Sequence, residues 1–118
     1  MTEHDEQAVV IEWARFLEGM YLQLKNLFAI PNAGKRSVGA GRYMVAEGLK
    51  TGVPDLFLAW PTGGKAGLFI EMKAGSGKLS VDQGDWIWRL KNAGYAAAVC
   101  YSADEAISAI KEYLNIIE

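Results

Sequence analysis

The chain has 118 residues, of which 51% are hydrophobic, and its formal net charge is −2 at neutral pH. This length and composition predict one compact domain over residues 1–118 with a single core. No apolar run approaches the about 20 residues that a membrane-spanning helix needs, and the acidic N-terminus lacks a signal-peptide pattern. We therefore expect a cytoplasmic protein without a membrane partner, in which any nucleic-acid binding depends on a local basic patch rather than on overall charge.

The N-terminal segment has the clearest helical pattern. Apolar residues recur at three- and four-residue steps from residue 2 to about residue 24, and they predict one buried stripe made of Val9, Val10, Trp13, Phe16, Leu17, Met20, Tyr21 and Leu24. Thr2 is a suitable N-cap. Glu6 falls within the stripe and Glu3 lies seven residues before Val10, so either acid is a candidate inward-facing carboxylate. The other interpretation of Glu6 is a solvated first-turn acid stabilised by the helix dipole.

A basic, glycine-rich loop follows a short predicted strand at residues 26–30, which Pro31 ends. Between Lys35 and Lys50 the chain carries four basic residues and one acid, which gives this segment a charge of +3. Exposed amides and cations in such a loop suit phosphate contact, and a merely solvated loop is the alternative. A short helix is predicted at residues 40–49.

The central stretch, residues 52–73, contains two apolar runs separated by a Gly-rich turn, which predicts an antiparallel hairpin. Alternation along the second strand places Glu71 and Lys73 on one side and Ile70 and Met72 on the other. A carboxylate in an apolar strand is costly unless a cation or hydrogen bonds compensate it. Because Asp55 brings a second carboxylate to the partner strand, the hairpin predicts a cation site.

The C-terminal part predicts a helix from Ser80 to about Asn92 with Gly94 as its C-cap, a fully buried strand at residues 95–101, and a last helix capped by Ser102. A right-handed crossover sets the new strand parallel to the Glu71 strand. Cys100 is interpreted as a packing residue. The inward side of the first of these helices is expected to comprise Leu79, Trp86, Ile87 and Leu90. Gln83 lies in the same first turns and could face the strand that carries Lys73, although an isolated Gln usually lies on the surface.

The complete order of elements predicts an α/β fold, with a mixed central sheet flanked by helices. The glycine fingerprints of dinucleotide-binding and P-loop folds are lacking. No Cys/His cluster suggests zinc, and His4, the only histidine, is expected to lie in a disordered terminus. Zinc and Ser-His-Asp chemistry are thereby disfavoured.

Taken together, the Gly52-Val53-Pro54-Asp55 turn, the hairpin and Glu71-Met72-Lys73 resemble the PD-(D/E)XK nuclease signature. More narrowly, the chain is similar to the VRR-NUC (virus-type replication-repair nuclease) family, whose pattern also has a basic loop upstream and a Gln on the following helix. In this sequence those features are Pro31-Asn32-Ala33-Gly34-Lys35-Arg36 and Gln83. The resemblance implies a restriction-endonuclease-like core.

The resemblance also implies a metal-dependent DNA endonuclease. Asp55, Glu71 and the main-chain carbonyl of Met72 would bind Mg²⁺ or Mn²⁺, Lys73 would orient water or offset charge on the phosphate, and Gln83 with Glu6 or Glu3 would support them. The expected DNA-contacting residues are Lys35, Arg36, Arg42, Lys50 and Lys78.

Short relatives in this family imply a homodimer that prefers branched or structured duplex DNA, similar to Holliday-junction resolvases. The candidate interface residues are Trp86, Trp88, Tyr101, Ile116 and Ile117. Two other functions stay open at this point: a non-catalytic nucleic-acid-binding module of the same fold, and a Mg²⁺-dependent nucleotide hydrolase.

Overall fold

The computed structural model describes residues 1–32 and 38–117. For residues 38–41 it describes the main chain only. Its helices are α1 (Glu3–Leu17), α2 (Val38–Ala46), α3 (Val81–Asn92) and α4 (Ala103–Leu114), with a 3₁₀-helix at Leu22–Asn26. Its strands are β1 (Leu27–Ala29), β2 (Leu56–Leu58), β3 (Leu68–Met72) and β4 (Ala96–Cys100). No helix in the described ranges is long and apolar enough to cross a membrane.

The four strands form a mixed sheet in the order β1-β2-β3-β4. β2 pairs antiparallel with β1 and β3, and β4 pairs parallel with β3. The predicted hairpin, the parallel strand and the α/β fold class are therefore confirmed. The architecture, a mixed four-stranded sheet flanked by helices, is compatible with a restriction-endonuclease-like core.

One face of the sheet packs against α1 and α4 and forms the hydrophobic core. The buried core residues on this side alternate along the strands and meet small or branched residues of the two helices: Val10, Ala14, Leu56, Leu58, Leu68, Ile70, Met72, Ala103, Ala106 and Ile110. Each fully buried Leu, Ile or Met side chain contributes about 1.5–3 kcal/mol relative to exposure. This core fixes the strands from which the candidate site projects on the opposite face.

The other face carries aromatic rings beside the acidic residues. Phe57 stacks on Phe69 with centroids 4.2 Å apart, and Phe28 and Tyr95 contact the Phe57 ring edge to face. A Cβ on Gly67 would lie 2.6 Å from the Phe57 ring, so a glycine is needed for this stacking. Phe28 keeps half of its surface exposed.

The first helix is shorter than the sequence predicts. α1 ends at Leu17, where a turn closed by hydrogen bonds from the Met20 and Tyr21 amides to the Leu17 carbonyl redirects the chain. The predicted helix is therefore wrong beyond Leu17, and so is the predicted burial of Met20, which is 73% exposed. Leu24 and Tyr21 are inward as predicted, Leu24 from the 3₁₀-helix. Phe16 is 84% exposed, which is also contrary to prediction, because the face of α1 that packs on the sheet is centred on Val10 and Ala14.

Three other predictions need smaller corrections. α2 begins and ends earlier than predicted. Its end is earlier because a turn at Gly48, whose φ is +106°, follows it. β4 is half-buried rather than fully buried because it is an edge strand, and among its residues Cys100 alone is buried. Leu79 precedes α3 and is exposed.

The predicted caps are confirmed. Thr2 and Ser80 each begin a helix with a reciprocal capping box, in which the Ser80 hydroxyl accepts from the Gln83 amide. Ser102 caps α4 by accepting from the Glu105 amide. Gly94, with φ +98°, follows the end of α3.

Candidate metal centre

Asp55 lies at the start of β2 with its carboxylate turned towards β3. Its Oδ2 accepts a hydrogen bond of 2.7 Å from the Met72 amide, and the side chain is only 5% exposed. Leu56 is paired with Ile70 in the antiparallel register. When this register is continued by one residue, Asp55 lies opposite Glu71. Directly opposed residues of an antiparallel pair share a face, with Cβ atoms about 4.5–5.5 Å apart. The hairpin therefore brings the two predicted carboxylates together.

Glu71 is 1% exposed and projects from the sheet face opposite the core. Gln83, in the first turn of α3, directs its Nε2 at Glu71 Oε2, 3.4 Å away. The Oε1 of the same Gln83 side chain accepts from the Ser80 amide, so the capping box fixes the side chain that faces Glu71. The structure thus places Gln83 beside the carboxylates rather than on the open surface.

Lys73 is also buried, at 9% exposure, directly after β3. Its amide donates to the Cys100 carbonyl over 2.9 Å, which continues the parallel pairing beyond the strand. Because residues 71 and 73 share a face of the chain, its ammonium belongs to the same side of the sheet as the Glu71 carboxylate. A lysine on this side of the sheet offers a cation to an incoming phosphate.

A cavity of about 360 Å³ opens beside Asp55 and is bordered by the start of α1. Glu3 lines the cavity with Asp55, whereas Glu6, which the structure also describes, does not. His4 lies in α1 and lines the cavity too, so the prediction of a disordered position for it is wrong; the capping box at Thr2 orders this end of the chain. Asn32, 8% exposed, lies on the opposite wall.

The sequence interpretation missed Gln7, which lines the same cavity. The signal was available, because Gln7 lies four residues after Glu3 and three before Val10, on the same helix face.

The expected DNA-contacting residues divide into two groups. Arg42, Lys50 and Lys78 are exposed. Lys50 lines a separate groove beside α3. Lys35 and Arg36 lie outside the described residues. Among the lysine and arginine side chains that the structure describes, Lys73 is the buried one, and it lies two residues after Glu71.

Cys100 behaves as the packing residue that its apolar context predicts. It is 3% exposed at the end of β4, and burial raises the pKa of its thiol to about 11, with the nearby Glu105 charge acting in the same direction. A thiol held in the protonated form is neither a nucleophile nor a metal ligand near neutral pH.

The donor set suits a hard divalent cation. Within residues 1–32 and 38–117 no group of three or more His, Cys, Asp or Glu residues is placed to hold a metal ion. Two buried carboxylates beside a main-chain carbonyl resemble the sparse oxygen sites of Mg²⁺, which keeps several waters and uses one or two carboxylates plus substrate phosphates. They do not resemble the closed nitrogen and sulfur sites of zinc.

Comparisons with known proteins identify the family and support the fold. The family profile of the VRR-NUC domain matches residues 1–104. A solved structure described as a VRR_NUC domain protein superposes with a TM-score of 0.77 at 28% sequence identity, covering 98% of this chain and 89% of the other. A search of curated proteins finds no significant match.

Proposed function

Because this chain belongs to the VRR-NUC domain family, we propose that it is a metal-dependent DNA endonuclease that hydrolyses phosphodiester bonds. The observation that carries the proposal is the placement of two buried carboxylates, Asp55 directly before β2 and Glu71 in the neighbouring β3, with the buried Lys73 directly after β3. Burying two acids and a base on one sheet face costs stability, and such groups cluster where they bind a charged ligand.

The proposed metal ligands are Asp55, Glu71 and the main-chain carbonyl of Met72. Mg²⁺ or Mn²⁺ at this position would offset charge on the phosphate oxygens and make a nearby water molecule more acidic.

The chain's own groups have separate proposed roles. Met72 anchors the Asp55 carboxylate through its amide, which fixes the orientation of that carboxylate at the proposed cation site. Lys73 holds a positive charge where negative charge develops on the phosphate during hydrolysis. Gln83 orients Glu71, and Glu3 is the first-helix acid that supports the site from the cavity wall.

The test of this proposal is incubation of the purified protein with plasmid, linear and four-way-junction DNA, with Mn²⁺ or with EDTA. We expect cleavage of DNA only with the metal and no hydrolysis of free nucleotides. Hydrolysis of nucleotides alone would instead identify a nucleotide hydrolase, and binding of DNA without cleavage would identify a non-catalytic module. The proposed preference for branched DNA predicts faster cleavage of the junction than of a linear duplex of the same sequence.

DNA binding is expected to depend on the basic loop. Replacing both Lys35 and Arg36 with Ala should weaken binding to every sequence and reduce the slope of log K against log salt by about 2, because each lost phosphate contact releases about one fewer counterion. Fluorescence anisotropy at several salt concentrations measures the slope.

The matched control for this variant is the double replacement Arg15→Ala and Lys25→Ala, which removes the same charge. Arg15 lies in the last turn of α1, about 18 Å along the helix from Glu3. Equal slopes for the loop variant and the parent would contradict the assignment of the loop.

The proposal also includes a two-fold homodimer, since a single small domain presents one site and a branched duplex presents two strands. Three of the candidate interface residues are exposed: Trp88 by 66%, Tyr101 by 41% and Ile117 by 89%. Trp86 is half-buried, and its Nε1 donates to the Thr51 carbonyl. An exposed Trp is a frequent interface anchor.

Light scattering is expected to give twice the mass of one chain for the parent and the mass of one chain for Trp88→Glu, because a buried unpaired carboxylate opposes association. Phe16→Glu, a change at an even more exposed ring on α1, should remain dimeric. A parent protein with the mass of one chain at micromolar concentration would exclude the dimer.

A further inference from the structure

A second recess, the α3 groove, lies beside the candidate metal centre. It has a volume of about 420 Å³ and is bordered by chain segment 45–51 on one side and by α3 on the other. Its aromatic and apolar surface comes from Trp86, Val45 and Leu49, and its charged groups are Lys50, Arg89 and Asp82. The volume falls within the range of small-ligand sites.

The indole of Trp86 is held in a defined orientation. Its Nε1 donates to the Thr51 carbonyl over 3.2 Å, which joins the two walls of the groove. The Arg89 guanidinium carbon lies 4.0 Å from the centre of the ring. Arg89 is in turn fixed by Asp85, whose Oδ2 accepts from Nε at 3.0 Å. The groove therefore presents a planar indole and a planar guanidinium already stacked together.

The local charge favours a neutral planar ligand over a phosphate. The cations Lys50 and Arg89 are balanced by Asp82 in the groove and by Asp85, which pairs with Arg89. A phosphate would gain little in this balanced field. A nucleobase, in contrast, stacks on aromatic rings and on Arg with about 1–3 kcal/mol per base and needs no net charge.

Each wall of the groove belongs to a chain segment that also carries a residue of the candidate metal centre. Along one wall, Thr51 is followed by Gly52 and, three residues later, by Asp55. Along the other, Trp86 lies one helical turn after Gln83, about 4.5 Å along the axis, and Gln83 faces Glu71. The same two chain segments thus carry both the walls of the α3 groove and residues of the candidate metal centre.

From this placement, we propose that the α3 groove binds an unpaired base next to the cleaved phosphodiester, so that the enzyme selects DNA with a single-stranded flank. Trp86 supplies the stacking surface and Arg89 reinforces it. The inference rests on the proposed nuclease function, because it assigns a subsite of that same site.

The test uses binding in EDTA, where cleavage does not occur. Three fluorescent DNAs are compared by anisotropy: a blunt duplex, the same duplex with a short single-stranded overhang, and that overhang made abasic, which keeps its phosphates and removes its bases. The parent is expected to bind the overhang about 10-fold more tightly than the abasic overhang. Equal affinity for these two DNAs overturns the inference without any variant being made.

Variants then locate the effect. Trp86→Leu is expected to lose the preference for bases, Trp86→Phe to keep most of it, and Arg89→Met to reduce it. Trp60→Leu is the control, since Trp60 lies beyond the other end of β2, five residues from Asp55, and does not line the groove. A folded Trp86→Leu protein that keeps the parent's preference overturns the inference.

Cleavage of the blunt duplex with Mn²⁺ separates the two proposals. If the parent cleaves this duplex but binds overhang and abasic overhang equally, the α3 groove assignment alone fails. If the parent prefers bases but cleaves no DNA, the proposed hydrolysis fails and the groove remains a nucleic-acid subsite. A groove that accepts an aromatic side chain of a protein partner instead would give equal binding of the two overhangs and would overturn the inference.

Discussion

Glu71→Gln and Asp55→Asn are each expected to reduce metal-dependent DNA cleavage by more than about 100-fold, since even groups outside the ligand set of a metal site are worth about 10- to 100-fold. Each change removes one carboxylate charge and preserves the shape of the side chain. A gel assay of plasmid nicking in Mn²⁺ measures the effect. Cleavage by either variant at the parent's rate would remove that residue from the metal centre.

The same two variants are expected to remain folded. In the parent, Asp55 Oδ2 accepts a hydrogen bond of 2.7 Å from the Met72 main-chain amide. In Asp55→Asn the side-chain oxygen of the new Asn still accepts this hydrogen bond. Loss of one of two neighbouring buried carboxylates also relieves their repulsion, so the melting temperature should be unchanged or higher.

Asp55→Ala is the structural comparison. It leaves the buried Met72 amide without its acceptor and should lower the free energy of unfolding by about 1–3 kcal/mol. Equal melting temperatures for the Asn and Ala variants would show that the Asp55 hydrogen bond does not stabilise the hairpin.

Gly52→Ala is expected to lower the free energy of unfolding by about 3 kcal/mol, the sum of a strained backbone and a steric overlap. Gly52 has φ +87°, and an added Cβ would lie 2.7 Å from the Asp82 Cβ and 2.9 Å from the Asp82 main-chain carbon. The neighbour is the first turn of α3, which cannot move without shifting Gln83 away from Glu71. Activity should therefore fall together with stability.

Gly48→Ala is the matched control for this prediction. Gly48 also has a positive φ, +106°, but an added Cβ there meets nothing within 4 Å. It should lose only the backbone contribution, about 1 kcal/mol. Chemical denaturation of both variants measures the difference, and equal losses would mean that close contact between residue 52 and α3 is unimportant.

The sheet and the carboxylate pair could be predicted because their signals are local. Strand alternation around Glu71, turn residues on either side of the hairpin and Ser80 before α3 each specify structure over a few residues. The pairing of Asp55 with Glu71 follows once the hairpin is identified, since a hairpin fixes its own register.

The end of α1 could not be predicted in the same way. Phe16 and Met20 continue the three- and four-residue spacing, yet both are exposed because the chain turns after Leu17 and brings Tyr21 and Leu24 to the core instead. Tertiary packing overrides the pattern there.

The groove at Trp86 also depends on tertiary structure. Thr51 and Trp86 are 35 residues apart, and nothing in their local sequences signals that they meet. The choice between Glu3 and Glu6 was of the same kind, since both have helical spacing to Val10 and only the position of α1 on the sheet separates them.

The central claim is that Asp55 and Glu71 hold a divalent cation for hydrolysis of DNA. Electron paramagnetic resonance measures it most directly, by following free Mn²⁺ as protein is added in the presence of a short DNA duplex. The parent is expected to remove Mn²⁺ from solution, and the double variant Asp55→Asn and Glu71→Gln to bind only what the duplex binds alone. Equal Mn²⁺ binding by the parent and the folded double variant would contradict the assignment of these carboxylates as the metal centre.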